Sequence, residues 1–190
     1  MALKRATIAA SESLVDQLES EAKDRGYTIY SLTNTALEAL LELIKDNYPP
    51  DTLISLVKFY KISQTLRIVP VTNWFIEKIS EELYKSNKDK LKEICEQTGE
   101  QLAVFLQGQA PTIEDLLELW NDVKAVLPIN NVSLRNKDDE IIITITGSGF
   151  SHEATECSAW IASKIFESYG LKIVNVTGKQ GGIILIKAKA

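Results

Sequence analysis

Near Pro128 the hydrophobic pattern of this chain passes from a mostly helical spacing to short β-rich runs, and that change constrains the fold more than any other feature. Before it, apolar residues recur mostly at three- and four-residue spacing, the mark of helices with one buried face. After it, Val132-Ser133-Leu134 and Ile141 to Thr146 read as strands around the turn-like Asn136-Lys137-Asp138-Asp139. A helix from about His152 to Tyr169 comes next, closed by Gly170, with Ala159, Ala162, Ile165 and Phe166 inward. Leu171 to Val176 and Ile183 to Ile186 then flank Gly178-Lys179-Gln180-Gly181-Gly182 as a second hairpin. The order ββαββ predicts an α+β unit.

An earlier boundary lies at Pro49-Pro50. Proline cannot continue a helix and restricts the residue before it, so whatever precedes this pair ends there. The chain thus divides into an N-terminal domain over residues 1–48 and a C-terminal domain over residues 51–190. In the second, Leu53, Leu56, Val57 and Tyr60 predict a helix, and Leu66 to Val71 a short strand. Thr72-Asn73 would cap a helix from Trp74, Leu91 to Phe105 reads as a further helix, and Thr112 would cap Ile113 to Val126, with Glu114 and Asp115 in its first turn.

The opening residues are the most informative for function. With a two-residue period, Ala6, Ile8 and Ala10 face one way, and Arg5, Thr7 and Ala9 the other. Ser11-Glu12-Ser13 starts a helix carrying Leu14, Leu18 and Ala22, which ends at Asp24-Arg25-Gly26. After Tyr27-Thr28, a second helix sets Leu32, Ala36, Leu40, Leu43 and Ile44 on one broad face. A lone strand on two helices leaves its edge unpaired, and a unit this small is hard to stabilise alone. Pairing the strand with its copy from a second chain would give an antiparallel ribbon with Arg5 and Thr7 outward, a shape that fits the major groove of B-DNA, about 12 Å wide.

The run Lys4-Arg5-Ala6-Thr7-Ile8-Ala9-Ala10, with Ser11-Glu12-Ser13, the turn Gly26-Tyr27-Thr28, Ser31 and Ala36-Leu37-Glu38, resembles the ribbon-helix-helix DNA-binding proteins of the MetJ/Arc/CopG type over about the first quarter of the chain. The resemblance implies that Arg5, Thr7 and Ala9 read base edges beside Lys4. It also implies that Thr28, Ile29 and Tyr30 present the start of the second helix to a phosphate. Ala9 stands where a polar reader is common and offers only apolar contact to a thymine methyl. In element order, Leu91 to Lys187 resembles the 4-vinyl-reductase-like small-molecule-binding fold, without the cysteines and Gly-Asp turn typical of that group.

Composition narrows the rest. The 190 residues carry 21 basic and 26 acidic side chains, a net charge of −5, so no basic excess announces nucleic-acid binding. No apolar run approaches the roughly 18 residues a membrane span needs, and Met1 to Arg5 lacks the apolar core of a signal peptide. A cytoplasmic location is expected, with no membrane partner. Cys95 and Cys157 are too few and too far apart in sequence for a disulfide scaffold, and His152 is the only histidine, so no cofactor or metal is expected. Thr146-Gly147-Ser148-Gly149-Phe150-Ser151 reads as a β-to-α turn with Ser151 as helix cap rather than as an anion cradle. No nucleophile, base and orienting residue fall at a recognisable spacing, so an enzyme is not expected.

The expected fold class is therefore α+β: an N-terminal ribbon-helix-helix dimerisation unit, a helical middle segment and a C-terminal ββαββ domain. The expected function is a sequence-specific transcriptional regulator. As a homodimer, or a higher oligomer, it would bind double-stranded DNA, and its C-terminal module would take a small-molecule effector or join dimers. The alternative is a dimeric interaction or scaffold protein that does not bind DNA.

Overall fold

A computed structural model describes residues 6–137, 140–147 and 149–189. The chain falls into two compact units, residues 1–53 and 54–190.

Unit 1 is built from α1 (Glu12–Arg25) and α2 (Ile29–Lys45). Gly26 ends α1 in the left-handed region at φ 71°, a conformation that costs glycine little, and its amide and that of Tyr27 close on Lys23 and Ala22 carbonyls. Thr28 caps α2: its hydroxyl oxygen accepts from the Ser31 amide at 3.1 Å. The expected N-terminal ribbon is not observed. Residues 6–11 form no strand, and among the described residues none precedes Ile129, so the chain opens with helices. The physical reason is that a strand needs a neighbour for its amides and carbonyls, and this segment finds none within its own chain.

Unit 2 takes in most of α3 (Thr52–Leu66), then α4 (Asn73–Gln109), α5 (Ile113–Val123), a 3₁₀ turn (Lys124–Val126), β1 (Ile129–Lys137), β2 (Glu140–Gly147), α6 (His152–Ser168), β3 (Lys172–Lys179) and β4 (Ile183–Lys189). The expected strand from Leu66 to Val71 is absent. α3 runs on to Leu66, Arg67 turns the chain at φ 52°, and Pro70 cannot donate to a ladder. α4 is long but broken at Asn87 (φ −160°, ψ 83°), whose side-chain oxygen accepts from the Lys90 amide at 3.0 Å and so recaps the second half.

The sheet is antiparallel in the order β1-β2-β4-β3. Register sets Ile143 opposite Ile186 and Ile145 opposite Ile184, placing one apolar row on the face that α6 covers with Ala159, Ala162 and Phe166. On its other side α6 packs against the second half of α4, where Leu91, Cys95, Gly99 and Ala103 recur every four residues and are buried. Gly99 permits the close approach: a Cβ there would sit 2.5 Å from the Ile161 carbonyl oxygen. Cys95 and Cys157 form a disulfide across this contact, with Cα atoms 5.5 Å apart. The two cysteines that sequence spacing set apart are thus joined, because the chain between them, across a sequence separation of 62, folds back to lay α6 on α4.

Candidate functional site

The helices and sheet of unit 2 enclose a partly open cavity of about 370 Å³. α5 supplies one wall. Leu116, Leu117, Trp120 and Val123 follow the three- and four-residue spacing of one helical face. That helix is fixed at its start by a capping box: Thr112 accepts from the Asp115 amide at 3.1 Å, and the Asp115 carboxylate accepts from the Thr112 amide at 3.0 Å. Phe59, Ile62 and Leu66 of α3 face it, and Lys58 Nζ lies 2.6 Å from an Asp122 carboxylate oxygen, tying α3 to α5. Leu102 and Leu106 from α4, Ile161 and Phe166 from α6, and Ile145 and Ile184 from the sheet complete the lining.

Two polar side chains belong to this wall. The Ser158 hydroxyl donates to the Ala154 carbonyl at 2.9 Å. The Trp120 indole Nε1 is buried and has no hydrogen-bond partner among the described residues. Among the described residues no charged side chain lines the cavity. A space of this size and lining suits a neutral, mostly apolar small molecule, because an ion would lose its hydration with nothing to replace it. Sequence spacing alone does not place Trp120 on a cavity, since it takes residues from seven separate helices and strands to make the wall.

A polar cluster bridges α4 and α6 elsewhere. Lys88 Nζ donates to the Tyr84 hydroxyl at 2.6 Å, lies 3.1 Å from a Glu156 carboxylate oxygen, and sits over the rings of Tyr84 and Trp160 at 4.5 and 5.8 Å. His152 Nε2 is 3.9 Å from the other Glu156 oxygen, and its ring meets Tyr84 edge-on. Hydrogen bonds to Tyr84 and then Glu156 push the Lys88 pKa above the ordinary lysine value. An ammonium held in this way is neither nucleophile nor base at neutral pH, and the cluster acts as a clamp between helices. Among the described residues no group of histidine, cysteine and carboxylate side chains could hold a metal ion.

The residues expected to meet DNA are scattered by comparison. Lys4 and Arg5 lie outside the described residues. Thr7 and Ala9 are exposed in the segment before α1, Thr28 is the cap of α2, and Ile29 and Tyr30 form its exposed first turn. Within the two helices Arg25 pairs with Glu21 at 2.9 Å and Lys45 with Glu42 at 2.8 Å. Ala22 is the one buried hydrophobic residue of unit 1 among those described, while Leu14, Tyr27, Leu41, Ile44 and Tyr48 are exposed. Serine caps α6 as expected, with the Ser151 oxygen accepting from the Ala154 amide at 3.3 Å, and the Ser151 amide itself donates to Glu77 at 3.1 Å.

No family model and no curated protein matches the chain. Among the described residues, no helix is long and apolar enough to cross a membrane.

Proposed function

We propose that this chain is a homodimeric, sequence-specific DNA-binding regulator of transcription whose C-terminal unit binds an apolar effector. The observation that carries this reading is the pairing, in one chain, of a small two-helix unit with uncovered apolar side chains and a second unit that encloses an apolar cavity. A unit of this size buries too little surface to stand alone, and a second copy is the occupant that needs no further partner. Exposed Ile54, Val57, Tyr60, Val69, Trp74 and Phe75 in unit 2 offer the copies a further surface to share.

On this reading Lys4, Arg5, Thr7 and Ala9 contact DNA together with the first turn of α2 at Thr28, Ile29 and Tyr30. Arg25 and Lys45 are engaged with glutamates, so Lys4, Arg5 and Lys23 supply the basic charge for phosphate. The test is fluorescence anisotropy with a pool of genomic fragments, using the full chain and Arg5→Ala at low and near-physiological salt, with mass measured by light scattering. The expected result is a mass of two chains, binding that weakens steeply with salt, and a clear loss in the variant. A monomer, or equal binding by both proteins, or no binding by either, overturns the reading.

The acidic excess of residues 1–48, with 8 acidic against 5 basic side chains, favours a second reading, a dimeric interaction or scaffold protein. It predicts a dimer that leaves every fragment unbound.

A further inference from the structure

We propose that the open face of the unit 2 sheet is a second contact for double-stranded DNA, one that holds phosphates through unpaired cations and reads no sequence. The proposal rests on the function above for the identity of the partner alone; the surface and the unit that carries it are separate.

Strand register builds the face. Successive residues of a strand point to opposite sides of a sheet, and α6 covers the side that holds Ile143, Ile145, Ile184, Ile186 and Ala188. Their neighbours point the other way. Cross-strand pairing sets Arg135 beside Ile142, Ile142 beside Lys187, and Lys187 beside Asn175 in one row. Lys172 pairs with Lys189 in the row on one side of it, and Lys179 pairs with Ile183 toward the opposite end of the sheet. Arg135, Lys172, Lys179 and Lys189 are exposed, and Lys187 is half-buried.

Charge singles this face out. The described strands bring one carboxylate, Glu140, against these five cations, while Asp138 and Asp139 of the turn between β1 and β2 lie outside the described residues. Among the described residues the ion pairs all join helical side chains, and none includes any of the five. The helices neutralise many of their lysines with glutamates; the sheet leaves its positive charge uncompensated and turned to one side.

Chemistry selects the partner. Duplex DNA carries one charge per about 1.7 Å of its axis, dense enough to meet several fixed cations at once. Between and beside the cations stand Ser133, Thr144, Thr177 and Asn175, whose hydroxyls and amide donate to phosphate oxygens in such complexes. The four strands hold no aromatic residue on which an unpaired base could stack, and no tryptophan or tyrosine to seat among lipid headgroups. What this face can hold is the backbone of a duplex.

The experiment follows anisotropy of the same pool of genomic fragments against salt for the full chain, for Arg5→Ala, for a triple glutamine variant (Lys172→Gln, Lys187→Gln, Lys189→Gln) and for the matching triple arginine variant. Each phosphate contact steepens the fall of log K with log salt by about 0.9, so the glutamine variant should flatten that slope by roughly 2 to 3. The arginine variant keeps the charge and should keep the wild-type slope. As a measurement that needs no variant, DNA should shield Lys172, Lys187 and Lys189 of the wild type from acetylation by a small amine reagent.

An unchanged slope in the glutamine variant, an equal loss in the arginine variant, or acetylation indifferent to DNA refutes the sheet contact, and the function above still stands if Arg5→Ala loses binding. A flattened slope in the glutamine variant with Arg5→Ala binding like the wild type keeps the sheet contact and overturns the role given to unit 1. Tighter binding of the wild type to vesicles of equal parts phosphatidylserine and phosphatidylcholine than to DNA assigns the face to a membrane and refutes the proposal. Binding to neither refutes both readings.

Discussion

Cutting the Cys95–Cys157 cross-link should weaken unit 2 more than any single side-chain change in it. The bond joins residues 62 apart in sequence, and reducing it frees the unfolded chain of a loop of that length. In the chain-entropy account this raises the entropy of the unfolded state by about 14 cal/mol/K, or about 4 kcal/mol at 25 °C. Cys95 is fully buried between Leu91 and Trp160, so Cys95→Ala with Cys157→Ala adds a small cavity term to that loss, whereas reduction alone does not. Thermal unfolding followed by circular dichroism, with and without a phosphine reductant, should therefore show a fall on the order of 10 °C or more for a unit of this size. The double variant should melt at or below the reduced wild type and respond to no reductant. Coincident melts of oxidised and reduced protein, or two free thiols titrated in untreated protein under denaturant, would refute the reasoning. The thiol count also bears on location, because disulfides persist in oxidising compartments and, inside cells, chiefly in hyperthermophiles.

Other consequences follow from single contacts. Gly99→Ala gains helix propensity, but its Cβ meets the Ile161 carbonyl at 2.5 Å and Lys164 Cβ at 2.8 Å, so a net loss of about 1–3 kcal/mol is expected in urea titration. Thr112→Ala removes the capping box of α5 and should cost about 1 kcal/mol by the same assay, with weaker binding of any ligand the cavity takes. The Tyr169 hydroxyl donates to the Ala110 carbonyl at 2.7 Å; Tyr169→Phe leaves that buried acceptor unpaired and should cost about 1–2 kcal/mol at pH 7. Burial, and then the nearby Asp115 charge, raise the Tyr169 pKa above its ordinary value near 10, so the stability it adds is whole below about pH 10 and is lost as pH rises through the raised value. Wild type and Tyr169→Phe should accordingly converge in alkaline urea titrations, and a constant gap up to the alkaline limit would contradict the assignment.

Local chemistry made the helix ends legible. Gly26, Thr28, Thr72, Thr112 and Ser151 sit where sequence reading places them, because caps depend on a residue and its neighbours within one turn. What depends on a distant partner was read less well. The opening segment has strand-like alternation, yet without a second strand it forms no ladder. Ile68, Val69 and Val71 have the β-branched composition of a strand, but Pro70 interrupts them and the segment pairs with none of the four strands of the sheet. The break at Asn87 falls between the helix from Trp74 and the further helix from Leu91 to Phe105 that sequence reading separates. The disulfide has a signal in the sequence. Leu91, Cys95, Gly99 and Ala103 form a stripe of mainly small residues at four-residue spacing, which is how a helix advertises a close neighbour, and Cys157 falls on the helix that becomes that neighbour.

The same limit separates the two halves of the candidate function. An apolar stripe shows that a helix face must be covered, and says nothing of what covers it. In α6 the cover is the sheet, and the stripe becomes core. In α5 the facing walls stand off, and the same grammar lines a cavity around Trp120. In α2 Leu32, Leu40 and Leu43 are half-buried while Ile44 stays exposed, so the stripe is only partly covered within unit 1. These three fates are fixed by the packing of whole helices far apart in sequence rather than by any residue on the stripe. For that reason the cavity and the uncovered face of unit 1, which the spacing of leucines alone would make equivalent, call for different partners: an apolar molecule small enough to enter one, and a second polypeptide broad enough to cover the other.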